Sequence, residues 1–193
     1  QRSNMNWIEP GFNGNDMQLE YIRKYFPEPR NFEHFVYLSQ LSHQLATREA
    51  IEAHRRNMPV CMGSLYWQLN DCWPTMSWAT VDYFGNWKAS HYEVKRGFEG
   101  TILSHEMEED TIRIYGITDS LESQDLSLQF YEVDANGRIQ GDSHHKRVVL
   151  MANTSTVIHR YSLTGSALKE NPSGTYLAVS LFRNDRLVVI LVT

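Results

Sequence analysis

The chain has 193 residues, 41% hydrophobic and 21% charged, enough to bury one large core or two smaller ones. Its formal net charge of −5 excludes a general electrostatic attraction to nucleic acid or to an anionic membrane surface. No apolar run approaches the roughly 20 residues that a membrane-spanning helix needs.

The opening Gln1-Arg-Ser-Asn-Met-Asn lacks the apolar centre of a signal peptide, and with no methionine at position 1 the chain reads as an excised piece of something longer. A first helix is predicted over Met17–Phe26, capped by Asn15 or Asp16 and stopped by Pro27 and Pro29. A longer one follows from Asn31 to about Asn57. In it Phe32, Phe35, Leu38, Leu41, Leu45 and Ile51 recur at the three- and four-residue spacing of one buried face. Its basic end, His54-Arg-Arg56, suits the negative end of the helix dipole, and Pro59 prevents continuation. Val60–Leu69 then reads as a buried strand. If fully extended it would hold Cys61 and Cys72 roughly 30 Å apart, which argues for two thiols rather than a disulfide. A loop over Asp71–Gly85 leads to a third helix from about Asn86 to Phe98, with Trp87 packed inward and Lys88 suited to pairing with a carboxylate.

After Gly100 the pattern becomes short β-rich runs: Thr101–His105, Thr111–Thr118, Leu126–Val133, Lys146–Met151, Ser155–Tyr161, Tyr176–Phe182 and Leu187–Leu191. Turn signals at Asp134-Ala-Asn-Gly137, Pro172-Ser-Gly174 and Asn184-Asp185 separate several of them. About seven strands in such a stretch predict a β-sandwich. The acidic run Glu106–Asp110 reads as a solvated linker or loop, and His144-His145 as an exposed strand connection. Tyr115, Phe130, Tyr131, Tyr161, Tyr176 and Phe182 sit in apolar alternation and read as core. The expected division is 1–100 for the helical half and 101–193 for the sandwich.

Chemistry concentrates in Gly63-Ser-Leu-Tyr-Trp-Gln-Leu-Asn-Asp-Cys-Trp-Pro-Thr-Met-Ser-Trp78. Flat rings beside amides and a carboxylate suit a sugar: rings cover the C–H face of a pyranose while polar groups hold its hydroxyls. Trp67 is the first candidate for such a ring, although Leu65, Trp67 and Leu69 share a strand face and core packing explains them equally. Asn70 and Asp71 either hydrogen-bond substrate, orient catalytic groups or simply cap the turn leaving the strand. Trp73 and Trp78, on either side of Pro74, either wall a pocket or pin the loop down. Asp71 with Asp82 is the one tempting carboxylate pair in the loop. The histidines form no zinc-ligand spacing, and no phosphate loop, dinucleotide fingerprint or nucleophile elbow occurs.

The wording from Gly63 to Tyr92, with Trp-Gln-Leu-Asn-Asp-Cys-Trp-Pro at its centre and Asp82-Tyr-x-Gly-x-Trp-Lys-x-x-His-Tyr92 after it, resembles the β-mannosidases of glycoside hydrolase family 2. Phe35-Val-Tyr-Leu-Ser-Gln-Leu41 and His54-Arg-Arg-Asn57 are similar to the helix before the last barrel strand of those enzymes. The resemblance covers roughly Asp16 to Arg96, with the sandwich half alike only in position and strand count. It implies an α+β two-part chain: the helix–strand–helix end of a (β/α)8 barrel, then an immunoglobulin-like antiparallel β-sandwich. It implies Trp67, Asn70, Asp71 and Trp73 as substrate-binding residues, since barrel sites lie at the C-terminal strand ends.

The family's two catalytic glutamates stand in Asn-Glu and Ser-Glu-Phe contexts that occur nowhere here, so both are expected upstream of Gln1 and the isolated chain is expected to be inactive. The resemblance further implies no cofactor and no metal, and a mannose-containing glycan and the upstream part of the catalytic domain as partners. It implies an extracytoplasmic or lysosomal-type location. A strand without neighbours predicts self-association. Two alternatives stay open: a carbohydrate-binding or structural sandwich module, and the same enzyme class acting on a galactoside, glucuronide or glucosaminide.

Overall fold

A computed structural model describes residues 14–193, so the opening hexapeptide lies outside the described residues. The chain divides into two units, 1–53 with 63–98 and 54–62 with 99–193.

In the first unit, α1 spans Gly14–Tyr25, with Asp16 in its first turn and Arg23 and Lys24 in its last, each suited to the dipole end it occupies. Asp16 is therefore helical rather than the cap. Helix α2, Phe32–Arg56, starts where the sequence places it: the Asn31 side chain accepts a hydrogen bond from the His34 N–H (2.8 Å), a regular N-cap. Helix α3, Ala89–Gly97, is shorter than predicted. Of its first three predicted residues, Asn86 closes a turn in which Asp82 Oδ1 accepts from the Phe84 and Asn86 N–H groups, Trp87 forms an antiparallel bridge with Val81, and Lys88 is the N-cap.

Three contacts set the direction of α3 against α2. Ala89 N–H donates to Gln40 Oε1 (3.0 Å), Gln44 Nε2 donates to Glu93 Oε1 (2.7 Å), and Gly97 lies against Ile51, whose Cγ2 would stand 2.8 Å from an added Cβ. Partners ascend together along both helices, so α2 and α3 run parallel. The chain between them must run back in the opposite sense, as the strand of a helix–strand–helix unit does.

That returning segment is not the strand predicted over Val60–Leu69. It is extended, but its sheet-like pairing is an isolated parallel bridge, Asn70 with Val81, made by Val81 N–H to Leu69 O (2.8 Å) and Asp71 N–H to Val81 O (3.1 Å). A parallel strand exists through the ladders on its flanks, and sequence periodicity alone does not supply them.

In the second unit, seven strands form two antiparallel sheets, β1-β2-β5 and β4-β3-β6-β7. The strands are β1 Thr101–Glu108, β2 Thr111–Thr118, β3 Gln124–Asp134, β4 Ile139–Leu150, β5 Thr154–Ser162, β6 Thr175–Arg183 and β7 Arg186–Val192. A four-residue helix, α4 (Ala167–Glu170), joins β5 to β6. Alternate residues of the two sheets face each other across a core that includes Ile112, Ile114, Leu128, Leu150, Leu177 and Leu181. At Gly116 the sheets leave no room for a side chain: a Cβ there would stand 2.5 Å from Leu150 Cδ2.

Three sequence readings change here. Glu106–Glu108 are strand residues of β1, and Glu109, at φ 52°, makes the hairpin turn with Asp110. Their charges are engaged rather than merely solvated, since Arg113 pairs with Glu106 (3.0 Å) and Glu108 (3.2 Å) and Lys169 with Asp110 (2.8 Å). His144 and His145 are exposed as expected but belong to β4, not to a connection. Of the six aromatics assigned to the core, Phe130 and Tyr161 pack against it, while Tyr176 is 40% exposed. Tyr176 points away because Leu177, its neighbour, takes the inner face.

Candidate functional site

Exposure along residues 64–69 alternates residue by residue, as an extended chain requires. Ser64, Tyr66 and Gln68 turn partly inward. Leu65, Trp67 and Leu69 turn out, at 102%, 74% and 55% exposure. Trp73 is 61% exposed and Trp78 45%. In this chain these indoles are exposed. Trp87, read as packed inward, is 47% exposed and meets His91 and Tyr92 edge-on at 4.4 and 5.3 Å between centroids.

The four predicted site residues separate into three exposed and one buried. Trp67, Asn70 and Trp73 are exposed, while Asp71 is 5% exposed. One Asp71 oxygen accepts a short hydrogen bond from the Ser77 hydroxyl, and the other accepts from Lys88 Nζ at 3.0 Å. Ser77 Oγ in turn accepts from the Ala79 N–H (3.0 Å). A buried carboxylate needs such partners to offset its lost hydration. The consequence is mechanical: Asp71 ties the start of the tryptophan loop to its turn and to the residue preceding α3.

A second polar link runs beneath it. Thr80 Oγ1 donates to Leu69 O (3.1 Å) and lies 2.9 Å from His91 Nδ1. On α2, burial, followed by the Lys88 charge, pushes His43 below the usual histidine range, so it stands neutral at pH 7. Asp82 is held below the usual carboxylate range first by the Asn86 side chain, then by the Asn86 and Phe84 N–H groups. Asp71 and Asp82 thus each have their own partners and do not form a couple. Ser77, Thr80, His43 and His91 were missed from sequence, because their roles depend on contacts between distant segments. Lys88 was anticipated as a carboxylate's partner, but Asp71 was not identified as that carboxylate.

The arrangement offers exposed indole faces and an exposed amide on a loop braced from behind. No protein-family profile matches the chain. Among curated sequences it is similar to β-mannosidase of Capra hircus, 33% identical over 120 residues, covering 55% of this chain and 14% of that protein. It is also similar to β-mannosidase B of Thermothelomyces thermophilus, 40% identical over 78 residues, covering 38% of this chain and 9% of that protein. Its fold superposes on the β-D-mannosidase of Dictyoglomus thermophilum with a TM-score of 0.80 and 27% identity, over 90% of this chain and 21% of that one. The chain is related to the C-terminal part of the family 2 β-mannosidases.

An exo-chitosanase of Amycolatopsis orientalis shares the fold, at TM-score 0.72 and 18% identity, over 96% of this chain and 22% of that one. The chain thus spans about a seventh of the goat β-mannosidase it matches.

Proposed function

We propose that this chain is the C-terminal portion of a retaining exo-glycosidase that removes terminal β-linked mannose from a glycan, and that it supplies part of the substrate-pocket wall. The observation that carries this is the solvent-facing indole rim on the extended segment between two parallel helices. Trp67 and Trp73 cover the apolar face of the sugar, Asn70 bonds a hydroxyl, and Asp71 holds the rim in place through Ser77 and Lys88. Residues up to 100 form the last helix–strand–helix of a (β/α)8 barrel, and 101–193 a sandwich domain of immunoglobulin-like type. The parallel course of α2 and α3 supports that assignment, because successive barrel helices run parallel around the returning strand.

The segment 64–69 lacks a flanking ladder because the neighbouring barrel strands belong to the upstream part of the catalytic domain. So do the two glutamates, which a retaining mechanism needs about 5–5.5 Å apart, and the isolated chain is inactive. Its exposed Leu65, Trp67 and Leu69 drive self-association when that covering is missing.

The test uses the longer protein that contains this sequence. It should hydrolyse p-nitrophenyl β-D-mannopyranoside faster than the corresponding galactoside, glucuronide or glucosaminide, and the 193-residue chain should hydrolyse none. Trp67→Ala in the longer protein should lower turnover by orders of magnitude with little change in melting temperature. Hydrolysis of another glycoside in preference to the mannoside would overturn the substrate, and equal losses of stability and rate would return Trp67 to a packing role.

A further inference from the structure

The strands β3 and β4 pair regularly except at one place. Phe130 faces His144 and Glu132 faces Gln140, so Tyr131 alone on β3 opposes three residues, 141–143, on β4. Gly141 makes this bulge possible at φ 80°, a left-handed conformation that other side chains rarely adopt. Bulges of this kind forgo ladder hydrogen bonds and re-aim side chains, and they gather next to functional sites.

Beside the bulge lies a cleft of about 220 Å³, lined by Gln140, Asp142 and His144 of β4 and, opposite, by Tyr161, Ser162 and Thr164. Its volume falls below the roughly 300–1,000 Å³ of pockets for drug-sized ligands and suits one sugar ring. The base is rigid. Glu132, 8% exposed, accepts from the Ala167 and Leu168 N–H groups at 3.0 and 2.8 Å, and its charge acts on the nearby Tyr161 phenol. The His144 ring is stacked on Phe130 at 5.1 Å, and Phe130 rests against His159 at 4.2 Å and edge-on to Tyr161 at 6.3 Å. Asp142 is different. It is exposed at the cleft, and among the described residues it has no hydrogen-bonding or ionic partner.

We propose that this cleft in the sandwich is a binding site for a single neutral pyranose, with the Asp142 carboxylate accepting from two of its hydroxyls and the Tyr161 and His144 rings beside its C–H face. A lone carboxylate flanked by an amide, a hydroxyl and aromatic rings matches the alternating hydroxyl and C–H surface of a sugar. The Glu132 carboxylate takes no part in binding; it is committed to α4 and Tyr161 and fixes the base of the cleft. The inference stands apart from the activity proposed above, since it concerns residues 140–164 and not the tryptophan rim.

The test is a titration of the 15N-labelled 193-residue chain with D-mannose, D-glucose and, in parallel, glycerol and calcium chloride, followed by amide chemical shifts. Saturable shifts on amides 140–144 and 161–166 with a hexose, at millimolar affinity, support the site. Asp142→Ala should weaken that affinity roughly tenfold or more, the loss expected when charge-assisted hydrogen bonds are removed. Asp142 has no hydrogen-bonding or ionic partner among the described residues, so this variant should keep the parent's melting temperature. As a control, Asp125→Ala, which removes an exposed partner of Arg147 elsewhere on β3, should leave the affinity unchanged. No saturable shift, hexose shifts that survive Asp142→Ala, a response to glycerol equal to that with hexose, or a response to calcium alone would each overturn the proposal. Hexose shifts confined to residues 63–87 would overturn it while leaving the tryptophan rim intact.

Discussion

Replacing Lys88 by methionine keeps the length of the side chain and removes the charge that faces Asp71. The pair is well shielded, with side-chain exposures of 18% for Lys88 and 2% for Asp71. Breaking such a pair by deleting one partner strands a buried charge and costs about 3–5 kcal/mol. The Ser77 hydroxyl still donates to the carboxylate, so the lower end, about 3 kcal/mol, is expected. With a urea slope of about 2 kcal/mol per molar, the unfolding midpoint falls by about 1.5 M. Four of the five tryptophans lie between Trp67 and Trp87, and helices α1 to α3, which dominate far-UV circular dichroism at 222 nm, lie mainly in the same unit, so both signals follow it, while amide hydrogen exchange resolves the sandwich strands separately.

The fluorescence and 222 nm transitions of Lys88→Met should therefore move together, while the exchange protection of the sandwich strands stays. Adding Asp71→Asn removes the stranded charge while keeping an acceptor for Ser77, and should recover more than half of the loss. A midpoint shift below about 0.3 M, or a double variant no better than Lys88→Met, would show that Asp71 is not the buried anchor described here.

Other outcomes are equally definite. Gly116→Ala places a methyl 2.5 Å from Leu150 Cδ2 and 3.2 Å from Ile158 Cγ2, and should destabilise the sandwich by about 1–3 kcal/mol, read from the hydrogen exchange of its strand amides. Burial, then Lys146 and His144, lower the His159 pKa, so the folded state binds its proton less well than the unfolded chain. The stability linked to His159 is thus present above pH of about 6.5 and lost as pH falls through its lowered value. His159→Gln should flatten the pH dependence of the sandwich midpoint there.

Tyr161 behaves in the opposite sense. Burial and its hydrogen bond to Glu132 push the phenol up to about 12, so its contribution is complete below the ordinary tyrosine pKa of about 10 and is lost as pH rises towards 12. Ultraviolet titration should show two tyrosines ionising late, Tyr161 and Tyr115, the latter raised by burial and its bond to Glu106, and Tyr161→Phe should abolish the phase near 12.

The elements legible in advance were those whose neighbours in sequence carry the signal. Strand β2 spans Thr111–Thr118, as its alternation of Ile112 and Ile114 with Arg113 and Tyr115 indicates. Helix α2 begins after Asn31 because an asparagine can cap its own helix. The front of β4, from Ile139 to His145, escaped notice because it is exposed on both sides and shows no apolar alternation. Helix α4 escaped because, at four residues, it has no period to read, and its start is held by Glu132, which lies more than thirty residues earlier in the chain. The segment 60–69 has strand-like composition, but composition carries no information on whether a neighbouring ladder is there.

From the order of residues alone came the helical and β-rich halves, the seven strands, the aromatic wording that resembles the β-mannosidases, and Trp67, Asn70, Asp71 and Trp73 as candidates. The tertiary structure decided which of those four face solvent, and that Asp71 is buried against a lysine seventeen residues away. It also decided that Asp142 stands unpartnered over a cleft made by a bulge between two strands. The reason is physical. Periodicity and capping are interactions among near neighbours and are written in consecutive residues, whereas burial and pairing depend on whatever distant segment the fold brings alongside.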